Sequence, residues 1–424
     1  GPPNPIRRDH DELKIPFVIN FQDDDIILKI NNKEIALKQG EYSDWVEVVF
    51  NAGIGVKITG ICRFLVVKTQ PEFELYVTPI NINPEKAALP ISHPKSYSTY
   101  LSKLQGYYAT LGLAEDTWAL NEKVIDEDAF LKQCYDFHNE REKMFFNALE
   151  KTDKGLVVCV FDTTDRVQHM FLRFLDDDHP AITGYNGEYK HVIEELYKNM
   201  DNLIGRVLDR IDKNTALFII SDHGFKQFKR GINLNTWLYQ NGYLSLKEGK
   251  DGSNEWFEDV DWHKTRAYAF GLAGIYLNIK GREAHGIVNP GKEAQQLKQE
   301  LIEKLSGLID EEKGIVAINE VFDSGKVLKG PYVKNALDLI VGYSEGYRAS
   351  WNSVTGKVDN TVFSDNTKSW GADHCLDPRL VPGVFFSNQK FNIEKPKITD
   401  IAPTVLKLFG IKIPSYVDGK PLIN

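Results

Sequence analysis

The sequence predicts an α/β fold, a sheet with helices on both faces, preceded by a β-rich segment. Three observations lead to the layered sheet and its preface. Apolar runs of strand length, Leu156–Phe161 and Ala216–Ile220, alternate with a helical pattern over Tyr189–Ile211. Strands that are apolar on both sides of the pleat and joined by helices belong to sheets covered on both faces. Each run ends in a polar turn, Asp162-Thr163-Thr164-Asp165 after the first and Ser221-Asp222-His223-Gly224 after the second. Open α/β sheets bind ligands at the carboxyl ends of their strands. Residues 15–83 read differently, as short β-branched and aromatic runs separated by turns.

In chain order, residues 1–14 form a Pro-rich linker or truncated end. Ile15–Asn20, Ile26–Ile30, Trp45–Phe50, Val56–Val67 and Phe73–Pro79 are strand runs, with turns at Asn31-Asn32-Lys33 and Lys38-Gln39-Gly40. Val46, Val48 and Phe50 alternate with Glu47 and Val49, as in a partly solvated strand. Residues 15–83 are therefore expected to be a β-rich insertion or cap. Residues 84–127 are a connecting and cap segment rich in Pro, Ser and Tyr, with a short helix. The core is expected over 128–424. It opens with a helix over Asp128–Glu150, whose apolar face carries Phe130, Cys134, Phe137, Met144, Phe145 and Leu149. Strands are expected near Ala267–Ile279, Asp338–Tyr343 and Gly383–Phe386, with a helix around Gln295–Leu308. A last helix starts at Thr399-Asp400 and stops at Gly410.

The net charge of -9 argues against a broad nucleic-acid surface, which needs a basic footprint. Local cations can still reverse the field inside a site for small phosphorylated molecules. The four cysteines, Cys62, Cys134, Cys159 and Cys375, contain no Cys-x-x-Cys pair and read neither as a disulfide framework nor as a structural zinc site. Cys159, inside an apolar run, is expected in the core. No apolar run approaches the roughly 20 residues that span a bilayer, so no membrane contact is expected.

Three clusters carry chemistry. Asp165-Arg166-Val167-Gln168-His169 places a carboxylate and an imidazole four residues apart, on one side of a helix if the segment is helical. Asp222-His223-Gly224 follows an apolar strand, with Gly224 permitting a sharp turn after two donors. Trp370-Gly371-Ala372-Asp373-His374-Cys375 brings His374 from a distant stretch, with Asp373 either a ligand, an orienting group or a solvated side chain. Carboxylate oxygen and imidazole nitrogen both suit zinc and neighbouring first-row metals. Taken singly, the Asp165–His169 and His374 clusters read first as an ordinary helix surface and a structural loop, and Asp222-His223 as readily as a plain strand-end turn. Lys226, Lys229 and Arg230 follow the second cluster and are candidates for contact with a phosphorylated leaving group, or form a solvated basic loop. No P-loop or dinucleotide fingerprint is present.

In combination the clusters resemble the alkaline phosphatase superfamily, in particular its type I phosphodiesterase/nucleotide pyrophosphatase and phosphohydrolase/phosphomutase branches. The matching stretches are Phe161-Asp162-Thr163-Thr164-Asp165-Arg166-Val167-Gln168-His169, Ile219-Ile220-Ser221-Asp222-His223-Gly224-Phe225 and Gly371-Ala372-Asp373-His374. The tail Ile398-Thr399-Asp400-Ile401-Ala402-Pro403-Thr404-Val405, with Leu408-Phe409-Gly410-Ile411 and Asp418-Gly419, is similar as well. The resemblance implies that Asp165, His169 and His374 hold one metal and Asp222 and His223 another. Asp162 and Asp373 would support them. Two zinc ions are implied for a hydrolase, with manganese in related mutases. The implied reaction is phosphoryl transfer to a protein hydroxyl followed by attack of water.

The family's further Asp ligand and its Thr or Ser nucleophile, which precede the β-rich insertion, have no counterpart in residues 1–13. The catalytic chain is accordingly read as incomplete, with an N-terminal segment needed to complete it, and no nucleophile is assigned. Thr163 and Thr164 read as turn residues and Ser221 as a strand-end hydroxyl. The expected parent activity is metal-dependent hydrolysis of a phosphate ester, a phosphodiester or nucleotide. The enzymatic alternative is a phosphomonoesterase or phosphomutase. The alternative from another class is a noncatalytic module with a remnant metal site.

Overall fold

The alternation of Val46, Val48 and Phe50 is realised in the strand Val46–Gly53, where these residues and Ala52 are buried while Glu47, Val49 and Asn51 are not. The computed structural model describes residues 1–4, 11–22, 25–53, 55–182, 184, 187–391 and 395–423. The chain divides into two units, Gly1–Met170 and Phe171–Asn424.

The first unit begins with three small antiparallel sheets. Phe17–Gln22, Asp25–Ile30 and Lys33–Leu37 pair in order. The last two are joined by Asn31 and Asn32, both at positive φ (48° and 61°). That is the geometry of a two-residue type I′ hairpin, and Asn tolerates it better than most residues. Val46–Gly53 pairs with Val56–Cys62, which also takes Asn81–Ile82, and Phe64–Lys68 pairs with Glu74–Val77. Leu28, Val48, Phe50, Phe64 and Val66 lie in their shared core. The expected run Val56–Val67 thus breaks at Arg63, whose guanidinium turns to Asp136 at 2.8 Å on the helix Glu127–Glu150. Asp126 caps that helix by accepting from the Ala129 amide. Shorter helices span Ser96–Gln105 and Thr117–Asn121.

The expected strand Leu156–Phe161 is not one. Leu156, Val158 and Val160 are 58%, 74% and 67% exposed, and no described strand pairs with the segment. An apolar run becomes a strand only where neighbours take its backbone groups. Here the Val160 carbonyl accepts from Arg141 instead. Cys159, expected in the core, is only half-buried, and that burial pushes its thiol up to about 11.

In the second unit, Lys226–Ile232 runs parallel to Gly346–Ala349 and antiparallel to Phe363–Asp365 and Ala372–Asp373. A second sheet orders Ala267–Phe270, Gly274–Leu277, Leu339–Tyr343 and Ile318–Asp323. The helix Lys292–Leu305 buries Leu297, Leu301 and Leu305 in the same core as Ile275, Leu277, Leu339 and Val341. Phe218–Ile220 pairs only with Phe385–Ser387 among the described strands. Ile220 and Phe386 remain exposed, so the strand Ala216–Ile220, expected to be buried on both faces, is covered on neither side in full. The helix Val192–Leu208 lies inside the predicted Tyr189–Ile211. The chain therefore has a mixed α/β fold of several sheets and helices, and among the described residues no helix is long and apolar enough to cross a membrane.

Candidate metal centre

Local periodicity sets the donors of the first unit. The helix Thr163–Phe171 carries Asp165 in its first turn and His169 one turn later. The spacing predicted from the sequence brings the Asp165 Oδ1 and His169 Nε2 atoms to 3.6 Å. His169 is 2% exposed, whereas a quarter of the Asp165 side chain reaches solvent. Asp165 also pairs with Arg166. Asp162, placed in a supporting role by the sequence, accepts from Arg141 at 2.7 Å. Of the two threonines, Thr163 is buried and Thr164 donates its hydroxyl to the Phe161 carbonyl.

Sheet register sets the donors of the second unit. The strand Lys226–Ile232 starts shortly after Asp222 and His223, and its first residues pair antiparallel with Ala372–Asp373: Lys226 with Asp373, Gln227 with Ala372. Continuing that register one step brings Phe225 opposite His374, and their rings do meet at 5.4 Å. The His223 ring then lies flat on the His374 ring, centroids 3.6 Å apart and planes 14° apart. The His223 Nδ1 stands 3.1 Å from the Gly224 carbonyl. A carbonyl only accepts, so Nδ1 is the ring nitrogen that donates there. Asp222 Oδ1 lies 3.6 Å from the His223 Nε2, on a side chain that is 77% exposed.

Close packing holds these loops. A Cβ on Gly383 would lie 2.2 Å from the Ser221 carbonyl, and one on Gly371 2.6 Å from the Arg173 Cβ. Ser221 both donates its amide to the Val384 carbonyl and accepts the Val384 amide on its hydroxyl. It thus serves as a strand-end hydroxyl. His179, which sequence reasoning missed, is buried, and its Nε2 lies 3.0 Å from the carbonyls of both Phe228 and Gly371. Its Nδ1 accepts from the Ala181 amide, so the ring is neutral with the proton on Nε2. Burial pushes its pKa below the usual histidine value. Arg173 reaches the Ser369 carbonyl, and Asn366 donates to the Trp370 carbonyl at 2.9 Å.

Asp373, left open between ligand and support, has both oxygens engaged. Oδ1 accepts from the amides of His374 (2.8 Å) and Cys375 (2.9 Å), and Oδ2 from Arg348 Nη1 (2.6 Å) and Trp370 Nε1 (2.9 Å). Four donors fill the acceptor capacity of a carboxylate. Asp373, His374 and Cys375 bring ligand-type atoms within 4.8 Å of one another, but the carboxylate is spent on hydrogen bonds. Lys226 pairs with Glu345 at 3.0 Å and Lys229 with Asp176 at 2.5 Å. Arg230 is buried among Asp310, Glu312 and Asp365.

Comparison with known proteins places the chain in the alkaline phosphatase superfamily of phosphoryl-transfer proteins. The family model described as "Type I phosphodiesterase / nucleotide pyrophosphatase" matches residues 44–360, and the chain belongs to that family. The match takes in Asp165, His169, Asp222 and His223; His374 lies beyond it. The chain is also 28% identical over 112 residues to a 2,3-bisphosphoglycerate-independent phosphoglycerate mutase of Bacteroides thetaiotaomicron. That similarity covers 26% of this chain and only 21% of the mutase.

Proposed function

We propose that the chain serves metal-dependent hydrolysis of phosphate esters, with phosphodiesters or nucleotides as substrates. In this reading Asp222 and His223 hold one divalent cation, and Asp165, His169 and His374 are the ligands of a second. The observation that carries it is the stacking of His223 on His374, which gathers imidazoles from distant stretches beside the carboxylate of Asp222. Imidazole nitrogen with carboxylate oxygen fits zinc, with manganese the alternative. A bound cation supplies Lewis acidity to the phosphoryl oxygens.

The chain's own residues do the rest. Gly224 keeps the His223 proton on Nδ1 and so leaves Nε2 as the donor. Lys226 and Lys229 steady the anionic leaving group by exchanging Glu345 and Asp176 for it. Arg230, enclosed by three carboxylates, belongs to the scaffold instead. Ser221 and Thr164 are engaged with local backbone, and no nucleophile is assigned. In the same reading, the small sheets belong to an alkaline-phosphatase-like layered fold, with residues 15–83 as its cap.

The likeness to a mutase favours a second reading, transfer of the phosphoryl group to another hydroxyl rather than to water. Zinc titration of the metal-stripped chain, beside turnover of bis(para-nitrophenyl) phosphate and para-nitrophenyl phosphate, tests both. We expect specific zinc binding that His374→Ala weakens by about 10–100-fold, and diester cleavage faster than monoester cleavage. Phosphate transferred to an added alcohol in place of water would move the assignment to the mutase reading. A folded chain without specific zinc binding would sink the metal-dependent one.

A further inference from the structure

Arg348 is 2% exposed, although nothing in its sequence neighbourhood, Gly346-Tyr347-Arg348-Ala349, singles it out. Its guanidinium packs in the corner of two aromatic rings tilted 60° to each other, 4.3 Å from the Phe228 ring centroid and 4.2 Å from that of Trp351. Its Nε donates to the Ala349 carbonyl at 3.1 Å and its Nη1 to Asp373 at 2.6 Å. Phe228 sits on the strand Lys226–Ile232, and Arg348 on the neighbouring parallel strand Gly346–Ala349. Trp351 opens the short helix Trp351–Val354 that follows. The cation is thus fixed by the sheet that carries the site, and it grips the one carboxylate whose other oxygen holds the His374 and Cys375 amides.

We propose that Arg348 is a positioning residue for His374: through Asp373 it fixes the backbone of residues 373–375 and so the direction of the His374 imidazole. The proposal rests on the reading of His374 as a metal ligand. Arginine suits this anchor, because its guanidinium packs on aromatic rings while its edge still donates to a carboxylate. Burial of both partners, with 2% and 4% of their side chains exposed, makes the pair rigid rather than merely attractive. Trp370 Nε1 holds the same Asp373 oxygen as Arg348, so losing Arg348 removes the cationic hold on that oxygen.

The test compares wild type, Arg348→Met, His374→Ala and the double variant by zinc titration, and follows amide hydrogen exchange of His374 and Cys375 in the metal-free 424-residue chain. With Arg348→Met we expect zinc affinity to fall about 10–100-fold, and the two amides to exchange roughly tenfold faster, since their acceptor is no longer held. In the His374→Ala background the same substitution should change zinc affinity by less than about threefold, because additivity fails where one residue acts through another. Equal losses in both backgrounds, or unchanged exchange at His374 and Cys375, would overturn the proposal and leave Arg348 a plain core residue. If Arg348→Met does not fold, Arg348→Lys carries the same cycle, keeping the charge and forfeiting the planar contacts. Wild type that binds no zinc would overturn the metal reading instead, and the exchange measurement would still decide whether Arg348 holds the loop.

Discussion

The candidate ligands are placed by two different means. Asp165 and His169 share one helical face, and their 3.6 Å separation follows from four residues of helix. Asp222, His223 and His374 stand on loops, and their geometry comes from a sheet register, two tightly packed glycines and a buried ion pair. A helix supplies its own backbone hydrogen bonds, so donors upon it need little support. Loop donors must borrow rigidity from whatever surrounds them. Losing a donor from the helix should therefore cost function with little stability, while losing a support of the loops should cost both.

The largest expected effect on stability is at Asp373. Asp373→Ala leaves the buried Arg348 without its carboxylate and should destabilise the chain by about 3–5 kcal/mol, read from urea unfolding; a loss below about 1 kcal/mol would mean the pair behaves like a surface bridge. A smaller effect is expected at His179, where folding lowers the pKa below 6.5. The unfolded chain takes up a proton as pH falls through that value, while the folded chain resists until lower pH. Stability contributed by neutral His179 is thus present above 6.5 and lost as pH falls below it, with a slope of at most about 1.4 kcal/mol per pH unit. Melting curves between neutral and mildly acidic pH should show a flatter slope for His179→Gln than for wild type; parallel slopes would place the titration elsewhere. The smallest stability effect is expected at Asp165. Asp165→Asn should cost no more than about 1 kcal/mol, yet weaken zinc binding, and a large unfolding penalty there would erase the contrast between helix and loops.

What was legible in the sequence follows the same division. The long helix Glu127–Glu150 and the alternating strand Val46–Gly53 report local periodicity and formed as expected, while the segment bearing Asp165 and His169, whose helicity the sequence left as a condition, is a helix. Leu156–Phe161 reads by composition as a continuous apolar strand, but pairing is a property of neighbours and not of the run itself. The motifs exposed Asp222, His223 and His374 as candidates, but not how they are held. Arg348 and His179 act across long sequence separations and carry no local signature. Asp373 was visible as a residue beside a candidate ligand, and its role became readable only when four donors were found on it.

The burial of Arg348 against Phe228 and Trp351 also bears on ionic strength. At physiological salt the screening length is about 8 Å, and it acts on charges that dissolved ions can approach. The pairs Lys226–Glu345 and Lys229–Asp176 have partly exposed ammonium groups and weaken as electrolyte is added. The Arg348–Asp373 pair lies where counterions do not reach. Concentrated salt therefore strips charge contacts from the lysines of the strand Lys226–Ile232 and leaves the His374 loop standing in its shape.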